Sequence, residues 1–152
     1  MPASGKSTVG ALLAKELSRP LIDTDKLVEE HAGMAIPEIF EKFGESRFRE
    51  LESEALREAS LKTGAIIATG GGAVLRSDNV AALRENGRIY FIDRPLSALI
   101  PTDDRPLSKT REAITARYNE RYGIYSAVAD VKIDAACDAC GVAKRIIGDF
   151  NR

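Results

Sequence analysis

Short apolar runs alternate with longer amphipathic segments along the 152 residues of the chain. The short runs each contain isoleucine or valine, and they predict strands at 20–22, 65–69, 88–92 and 131–134. The segments between them repeat apolar residues three and four apart, and they predict helices at 5–17, 36–43, 45–63, 79–85, 111–122 and 137–150. This order of elements is typical of an α/β fold with a parallel sheet.

Cap residues and prolines mark several of the predicted boundaries. Thr24 follows the first strand and is a candidate N-cap of the next helix, because a threonine hydroxyl can accept from an unpaired backbone N–H. Gly64 follows the long helix as a candidate C-cap. Residues 93–110 contain three prolines, so this stretch is predicted to be irregular.

Composition narrows the possible classes of protein. The chain has 22 basic and 23 acidic residues, giving a net charge of −1, and we expect one domain over residues 1–152. Without a basic patch or an apolar run of about 20 residues, we expect neither a nucleic-acid partner nor a membrane span. Cys137 and Cys140 are too few for a disulfide framework, which indicates a cytoplasmic protein.

The first residues contain the second half of a phosphate-binding loop. The P-loop pattern is G-x-x-x-x-G-K-[ST], and Gly5, Lys6 and Ser7 supply its last three positions. Lys6 is predicted to reach the β- and γ-phosphates of a nucleotide, and the Ser7 hydroxyl to hold Mg²⁺. The alternative is a glycine-containing helix start without a ligand. The predicted phosphate-binding residues are Ala3, Ser4, Gly5, Lys6, Ser7 and Thr8.

The first glycine of that pattern and the strand that normally precedes the loop have no counterpart in the sequence. In this architecture that strand is usually central, so its absence would separate its neighbours by about 10 Å. Three explanations stay open: an incomplete chain, the tail of a larger fusion, or another segment in the gap.

Two carboxylates and an arginine–glutamate pair are candidates for substrate binding. Asp23 and Asp25 follow the first strand, where ligands gather in parallel sheets, although Asp25 alone would also suit a helix N-terminus. Arg49 and Glu52 share a helix face. They form either an ordinary surface ion pair or a guanidinium oriented toward a substrate carboxylate.

Three further features are candidates for the same pocket. The triplet Gly70, Gly71 and Gly72 follows a strand and would let the backbone approach a ligand closely. Arg105 in the irregular stretch is either a solvated arginine or a lid group that neutralises transition-state charge. Arg121 and Tyr125 lie four residues apart, Arg121 at the end of the helix predicted for 111–122 and Tyr125 after it.

Together these residues resemble the shikimate kinase family over nearly the whole chain. The shared segments are Gly5–Thr8, Asp23–Asp25, Gly44–Glu52, Gly70–Val74 and Arg105–Leu107, with Ile39, Phe40, Arg121 and Tyr125. The resemblance implies a P-loop kinase fold, a three-layer sandwich with a parallel sheet and a short lid, whose first, central strand is missing from the sequence. It also implies ATP- and Mg²⁺-dependent phosphorylation of the 3-hydroxyl of shikimate, in aromatic amino acid biosynthesis.

Roles for individual residues follow from the resemblance. Asp25 corresponds to the aspartate that hydrogen-bonds substrate hydroxyls, and Asp23 to the one near Mg²⁺, a candidate base. Arg49 and Arg121 correspond to the arginines that bind the substrate carboxylate. Further correspondences are Gly70, Gly71 and Gly72 with the substrate-facing turn, Phe40 and Phe48 with pocket walls, Glu52 with the acid that orients an arginine, and Arg105 with the lid arginine.

Two other functions compete with this prediction. Another small-acid P-loop kinase, such as a gluconate kinase, would also need arginines for a carboxylate. A non-catalytic binding module is favoured by the missing P-loop glycine and disfavoured by Lys6, Ser7, Asp23 and Asp25. In either case we expect a monomer or part of a larger fusion.

Overall fold

The structure is a computed structural model that describes residues 4–101 and 109–152. It contains the predicted alternation of helices and strands. The helices are α1 (Lys6–Glu16), α2 (Thr24–Ala32), α3 (Ile36–Ser60), α4 (Ser77–Asn86), α5 (Arg111–Val128) and α6 (Ala139–Phe150). The strands are β1 (Leu21–Asp23), β2 (Ile66–Ala68), β3 (Tyr90–Asp93) and β4 (Val131–Asp134). Short 3₁₀ turns lie at Ala73–Leu75 and Leu96–Ala98.

The described strands form two parallel pairs. β1 pairs with β2, aligning Asp23 with Ala68, and β3 pairs with β4, aligning Asp93 with Asp134. Parallel pairing requires a crossover, which α2 and α3 provide for the first pair and α5 for the second. Because the two strands of each pair point the same way, their carboxyl ends and the loops that follow them lie at the same end of that pair.

Helices cover both faces of the β3–β4 pair. Ile92 and Ile133 pack in one cluster with Val9 and Leu13 of α1 and with α6. Phe91, which directly precedes Ile92 in β3, faces the other way and packs against α5. The alternation of side chains along the strand therefore produces a three-layer arrangement, as predicted. A third cluster joins α2 to both halves of α3.

Two predicted helices, 36–43 and 45–63, lie end to end as α3 with a kink between them. Gly44 sits at the kink with φ 79° and ψ 177°, a conformation that a side chain would disfavour. The helix ends at Ser60, so the prediction that Gly64 caps it is wrong. Gly64 instead has φ 73° in the turn that leads to β2.

The helix predicted at 111–122 continues six residues further, to Val128. The prediction that Tyr125 follows the helix is therefore wrong, because Arg121 and Tyr125 both lie inside α5. Gly123 lowers helix propensity at that point, but packing of Tyr125 against Phe91 outweighs the local preference. The ring centroids of these two residues are 5.3 Å apart.

Candidate active site

The phosphate-loop residues within the described chain lead directly into α1. Gly5 is the N-cap residue, with φ 84°, and its carbonyl accepts from the Val9 N–H at 3.0 Å. This left-handed conformation suits glycine and turns the chain into the first helical turn, where Lys6 and Ser7 lie. Backbone N–H groups at such a helix start favour an anionic ligand. Ala3, also predicted to bind phosphate, lies outside the described residues.

Ser7 and Asp23 meet at the end of β1. The Ser7 hydroxyl donates to Oδ2 of Asp23 at 3.4 Å. Oδ1 of the same carboxylate caps α2 by accepting from the backbone N–H groups of Asp25 and Lys26. An oxygen pair of this kind, one hydroxyl and one carboxylate, suits Mg²⁺, which is usually held by one or two protein ligands with water and phosphate oxygens.

The cap of α2 differs from the sequence prediction. Asp23 is the N-cap residue, and Thr24 is the first residue of the helix. Thr24 is fully buried, and its hydroxyl accepts from the Gly70 N–H at 3.2 Å. The short polar side chain therefore fixes the glycine turn beside Asp25 instead of capping its own helix.

Two glycines of the triplet leave room for charged side chains. A Cβ added at Gly70 would lie 2.7 Å from Asp25 Oδ1 and 2.7 Å from Glu52 Oε1. A Cβ at Gly72 would overlap the guanidinium of Arg49. A side chain at either position would therefore displace these charged groups, and the turn brings together Asp25, Arg49 and Glu52 from α2 and α3.

Arg49 lies between two carboxylates on α3. Its Nη1 is 2.7 Å from Glu52 Oε2, and its Nη2 is 3.0 Å from Glu45 Oε1. Burial alone would lower the pKa of Arg49, but the attraction of Glu52 and Glu45 raises it. Phe48 precedes Arg49, and its ring lies against that of Phe40 with centroids 4.8 Å apart. These are the two residues that the resemblance assigns to the pocket wall.

Within this charge cluster, Glu52 is the carboxylate whose charged form burial destabilises most. Its side chain is 2% exposed, and burial raises its pKa more than Arg49 lowers it, while Asp25 adds a further rise. The pKa of Arg49 rises too, because Arg49 is less buried and has Glu45 as a second partner. Among the described residues, Oε1 of Glu52 has no hydrogen-bond partner although it is buried.

We expect the free energy of unfolding of Glu52→Gln to differ from that of the parent in a way that depends on pH. A raised folded-state pKa means that the stabilising contribution of Glu52 is complete in acid and is lost as the pH rises through that pKa. The variant should therefore be at least as stable as the parent at pH 7, with the difference shrinking as the pH falls toward 4. Urea unfolding from pH 4 to 8 measures this difference. A variant less stable by the same amount at every pH would contradict the assignment.

α5 contributes Arg121 and Tyr125 to the same region as Glu52 and the glycine turn. Arg121 is 4% exposed and lies close enough to Glu52 to lower its pKa. The Tyr125 hydroxyl donates a short hydrogen bond to the Gly71 carbonyl. Burial raises the pKa of Tyr125, with Arg121 opposing, so the phenol stays protonated and can donate at neutral pH.

Two residues near the site had no distinct signal in the sequence. Thr24 looked like a cap, and only the fold shows its contact with Gly70. Arg94 follows β3, and its Nη2 lies 4.0 Å from the position that a Cβ on Gly5 would occupy. In the sequence, only its position directly after a predicted strand indicated that Arg94 could lie near a ligand site. Arg105, the predicted lid arginine, lies outside the described residues.

The model for the shikimate kinase family matches residues 2–150 of this chain. The chain belongs to the shikimate kinase family. The shikimate kinase of Clostridium botulinum strain Alaska E43 is 46% identical over 130 residues, which cover 83% of this chain and 78% of the relative. That of Moorella thermoacetica is 44% identical over 150 residues, covering 94% and 86%.

Solved structures of shikimate kinases have the same fold. The structure of the Acinetobacter baumannii enzyme in complex with shikimate has a TM-score of 0.93 at 30% identity, covering 99% of this chain and 89% of that one. The Aquifex aeolicus enzyme has a TM-score of 0.85 at 38% identity, covering 98% and 91%. These findings confirm the predicted P-loop kinase fold, the enzyme class, shikimate as substrate, and ATP with Mg²⁺ as cofactors.

Two further observations concern membrane spans and metal sites in the described part of the chain. None of its helices has the length and apolar character to span a bilayer. No group of three or more histidine, cysteine or acidic side chains there is arranged to hold a metal ion. The Ser7–Asp23 pair is a different kind of site, since it would share Mg²⁺ with phosphate and water oxygens.

We expect Thr24→Val to weaken shikimate binding through the glycine turn. Valine keeps the shape but leaves the buried Gly70 N–H without its partner, which costs about 1–3 kcal/mol. We predict that loss in urea unfolding and a rise of about tenfold in the KM for shikimate, with the KM for ATP little changed. Thr24→Ser keeps the hydroxyl and should restore the parental KM; an unchanged KM in Thr24→Val would contradict the proposed role.

Proposed function

We propose that this shikimate kinase holds its substrate between the glycine turn and α5, with the 3-hydroxyl directed toward the phosphate loop. The observation that carries the proposal is the convergence of Asp25, Arg49 and Glu52 at Gly70 and Gly72, beside the Ser7–Asp23 pair. These side chains would provide hydroxyl acceptors and a carboxylate-binding guanidinium within one small region.

The substrate carboxylate is assigned to Arg49 and Arg121. Guanidinium groups bind carboxylates in a bidentate geometry, and both arginines are largely buried, which strengthens the attraction. Glu52 orients Arg49 through the 2.7 Å contact, so less side-chain freedom is lost when the acid binds. Gly70, Gly71 and Gly72 supply a backbone surface that the ring of the substrate can approach closely.

Asp25 and Asp23 are assigned to the hydroxyl groups. Asp25 accepts hydrogen bonds from ring hydroxyls and so fixes the 3-hydroxyl in place. Asp23 is the candidate base for its proton and, with Ser7, the candidate Mg²⁺ ligand. Phosphoryl transfer needs mainly positioning and charge stabilisation, and these carboxylates contribute to both.

We assign the phosphate side of the site to Ala3–Thr8 and Arg105, of which Ala3 and Arg105 lie outside the described residues. ATP·Mg²⁺, when bound, supplies the phosphoryl group. Lys6 neutralises charge on the β- and γ-phosphate oxygens, and the backbone N–H groups of the loop hold the same oxygens. Arg105 remains our candidate for a lid group that excludes water and neutralises transition-state charge.

An assay of ADP release tests the substrate assignment. Turnover is measured with shikimate, with gluconate and with no acid, because Arg49 and Arg121 would suit either carboxylate. We expect release that depends on shikimate and is at least tenfold slower with gluconate. Equal rates with the two acids would favour a general small-acid kinase, and shikimate binding without ADP release would favour a non-catalytic module.

Cellular context follows from the reaction and the composition. We propose that the protein works in the cytoplasm, where its two free cysteines stay reduced. Because its substrates are small molecules, we propose no nucleic-acid partner, and we propose a monomer or one unit of a larger fusion. Gel filtration with light scattering measures the mass in solution; a dimer would contradict the monomer.

A further inference from the structure

The guanidinium of Arg49 is already engaged by two carboxylates. A single oxygen of Glu45, Oε1, accepts from Nε of Arg49 at 3.3 Å and from Nη2 at 3.0 Å. Oε2 of Glu52 accepts from Nη1 at 2.7 Å. These contacts use both kinds of donor on the Nε–Nη2 edge of the guanidinium, and both of them go to Glu45.

The Nε–Nη2 edge is also the edge that suits a substrate carboxylate. A bidentate contact needs two parallel N–H donors on one edge of the guanidinium. The Nη1 side is crowded, because Nη1 pairs with Glu52 and is the atom of Arg49 nearest to a Cβ added at Gly72. A carboxylate that binds Arg49 in a bidentate geometry therefore needs the edge that Glu45 occupies.

The two glutamates differ in how readily they can leave Arg49. Glu52 is 2% exposed, so separating it from Arg49 would leave a buried charge without its partner. Glu45 is 50% exposed, so its charge stays hydrated when the contact breaks, and exposed ion pairs contribute little free energy. Glu45 is therefore the partner that an incoming carboxylate can replace.

Arg117 on α5 is another cation whose charge interacts with Glu45. It lies four residues before Arg121, so the two arginines share a face of the helix. Burial and the charge of Arg121 lower the pKa of Arg117, and the charge of Glu45 opposes them. A carboxylate that moved closer to Arg117 would offset the repulsion between the two arginines.

We propose that Glu45 is a positioning residue that changes partner when shikimate binds: it leaves Arg49 to the substrate carboxylate and pairs with Arg117. This inference rests on the proposed function, because it requires Arg49 to bind the carboxylate. In the free enzyme Glu45 holds the guanidinium in place and lowers the apparent affinity, since only molecules with a free Nε–Nη2 edge can bind. Arg117 restores part of that affinity by stabilising the released Glu45 in the bound state.

Glu45→Gln is the first test, with the Kd for shikimate measured by calorimetric titration. Glutamine has nearly the same shape but no charge, so it competes weakly for the guanidinium. We expect the Kd for shikimate to fall by about three- to tenfold, while the Kd for ADP stays within about twofold. An unchanged Kd for shikimate would overturn the exchange. A higher Kd would also overturn it, because Glu45 would then orient Arg49 as Glu52 does.

Glu50→Gln is the matched control. Glu50 lies on the same helix, is 51% exposed and pairs with Arg47 at 2.9 Å. Its replacement removes the same charge without freeing an edge of Arg49, so the Kd for shikimate should stay within about twofold. Equal tightening by Glu45→Gln and Glu50→Gln would indicate a general effect of net charge and would overturn the exchange.

A double-mutant cycle tests the role of Arg117. In the parent, Arg117→Gln should raise the Kd for shikimate by about three- to tenfold, because the released Glu45 loses its new partner. In the Glu45→Gln background, the same substitution should change the Kd by less than about twofold. Equal effects in the two backgrounds would mean that Arg117 acts on the substrate directly, which would overturn its role as the partner of Glu45.

Arg49→Ala separates a failure of the exchange from a failure of the proposed function. If the Kd for shikimate rises in Arg49→Ala but does not fall in Glu45→Gln, only the exchange is wrong. If Arg49→Ala leaves the Kd unchanged, the assignment of the substrate carboxylate to Arg49 is wrong, and the exchange is overturned with it. Urea unfolding of each variant checks that the changes in Kd do not come from a loss of folded protein.

Discussion

Replacing Arg49 with alanine is expected to raise the KM for shikimate by about 100- to 1,000-fold, while the KM for ATP stays within about twofold. The guanidinium is assigned to the substrate carboxylate, and its loss also leaves Glu52 buried at 2% exposure without its 2.7 Å partner. Removing one member of a buried charge pair typically costs 2–5 kcal/mol, and each 1.4 kcal/mol is about a factor of ten. Steady-state kinetics with each substrate varied in turn measures both constants.

The same helix supplies a matched control. Arg47 also forms an ion pair with a glutamate three residues later, Glu50, at 2.9 Å. Unlike the Arg49–Glu52 pair, both of these side chains are about half exposed. Arg47→Ala should therefore change neither KM by more than about twofold, since exposed pairs contribute about 0–1 kcal/mol. If Arg49→Ala weakened ATP and shikimate equally, its assignment to the substrate carboxylate would be wrong.

Lys6→Ala is expected to abolish turnover, lowering kcat by at least about 1,000-fold, while the fold and the affinity for shikimate are retained. Lys6 opens α1 and is assigned to the β- and γ-phosphates, where its charge is needed most as the phosphoryl group moves. ADP release measures kcat, circular dichroism the fold, and calorimetric titration the shikimate affinity.

Lys15→Ala is the control for that variant. Lys15 lies in the last turn of the same helix and is exposed, so its replacement removes the same charge at a distance from the phosphate loop. Turnover should then stay within about twofold of the parent. Parental turnover in Lys6→Ala would exclude the phosphate-binding role of the loop.

Local sequence signals predicted most of the elements. Apolar periodicity marked the described helices and strands, and Gly44 separated two helical patterns that the structure joins at a kink. The errors lie where tertiary contacts outweigh local preference. Packing of Tyr125 on Phe91 carries α5 through Gly123, and the contact with Gly70 draws Thr24 away from the cap position that Asp23 fills.

The candidate site was predictable as a set of residues but not as a geometry. Asp25, Arg49 and Gly70 belong to segments that only the fold brings together. The sequence suggested that the glycine triplet leaves space for a ligand, whereas Gly70 and Gly72 first leave space for the charged side chains around them. Arg94 beside Gly5 had no periodicity or motif to mark it, because its proximity depends on where β3 ends.

The most direct test of the central claim is to identify the product. The 152-residue chain is incubated with ATP, Mg²⁺ and shikimate, and the mixture is analysed by phosphorus NMR and mass spectrometry, with Lys6→Ala as the blank. We predict shikimate 3-phosphate and ADP in equal amounts, absent from the blank. ADP with free phosphate and unmodified shikimate would contradict the account.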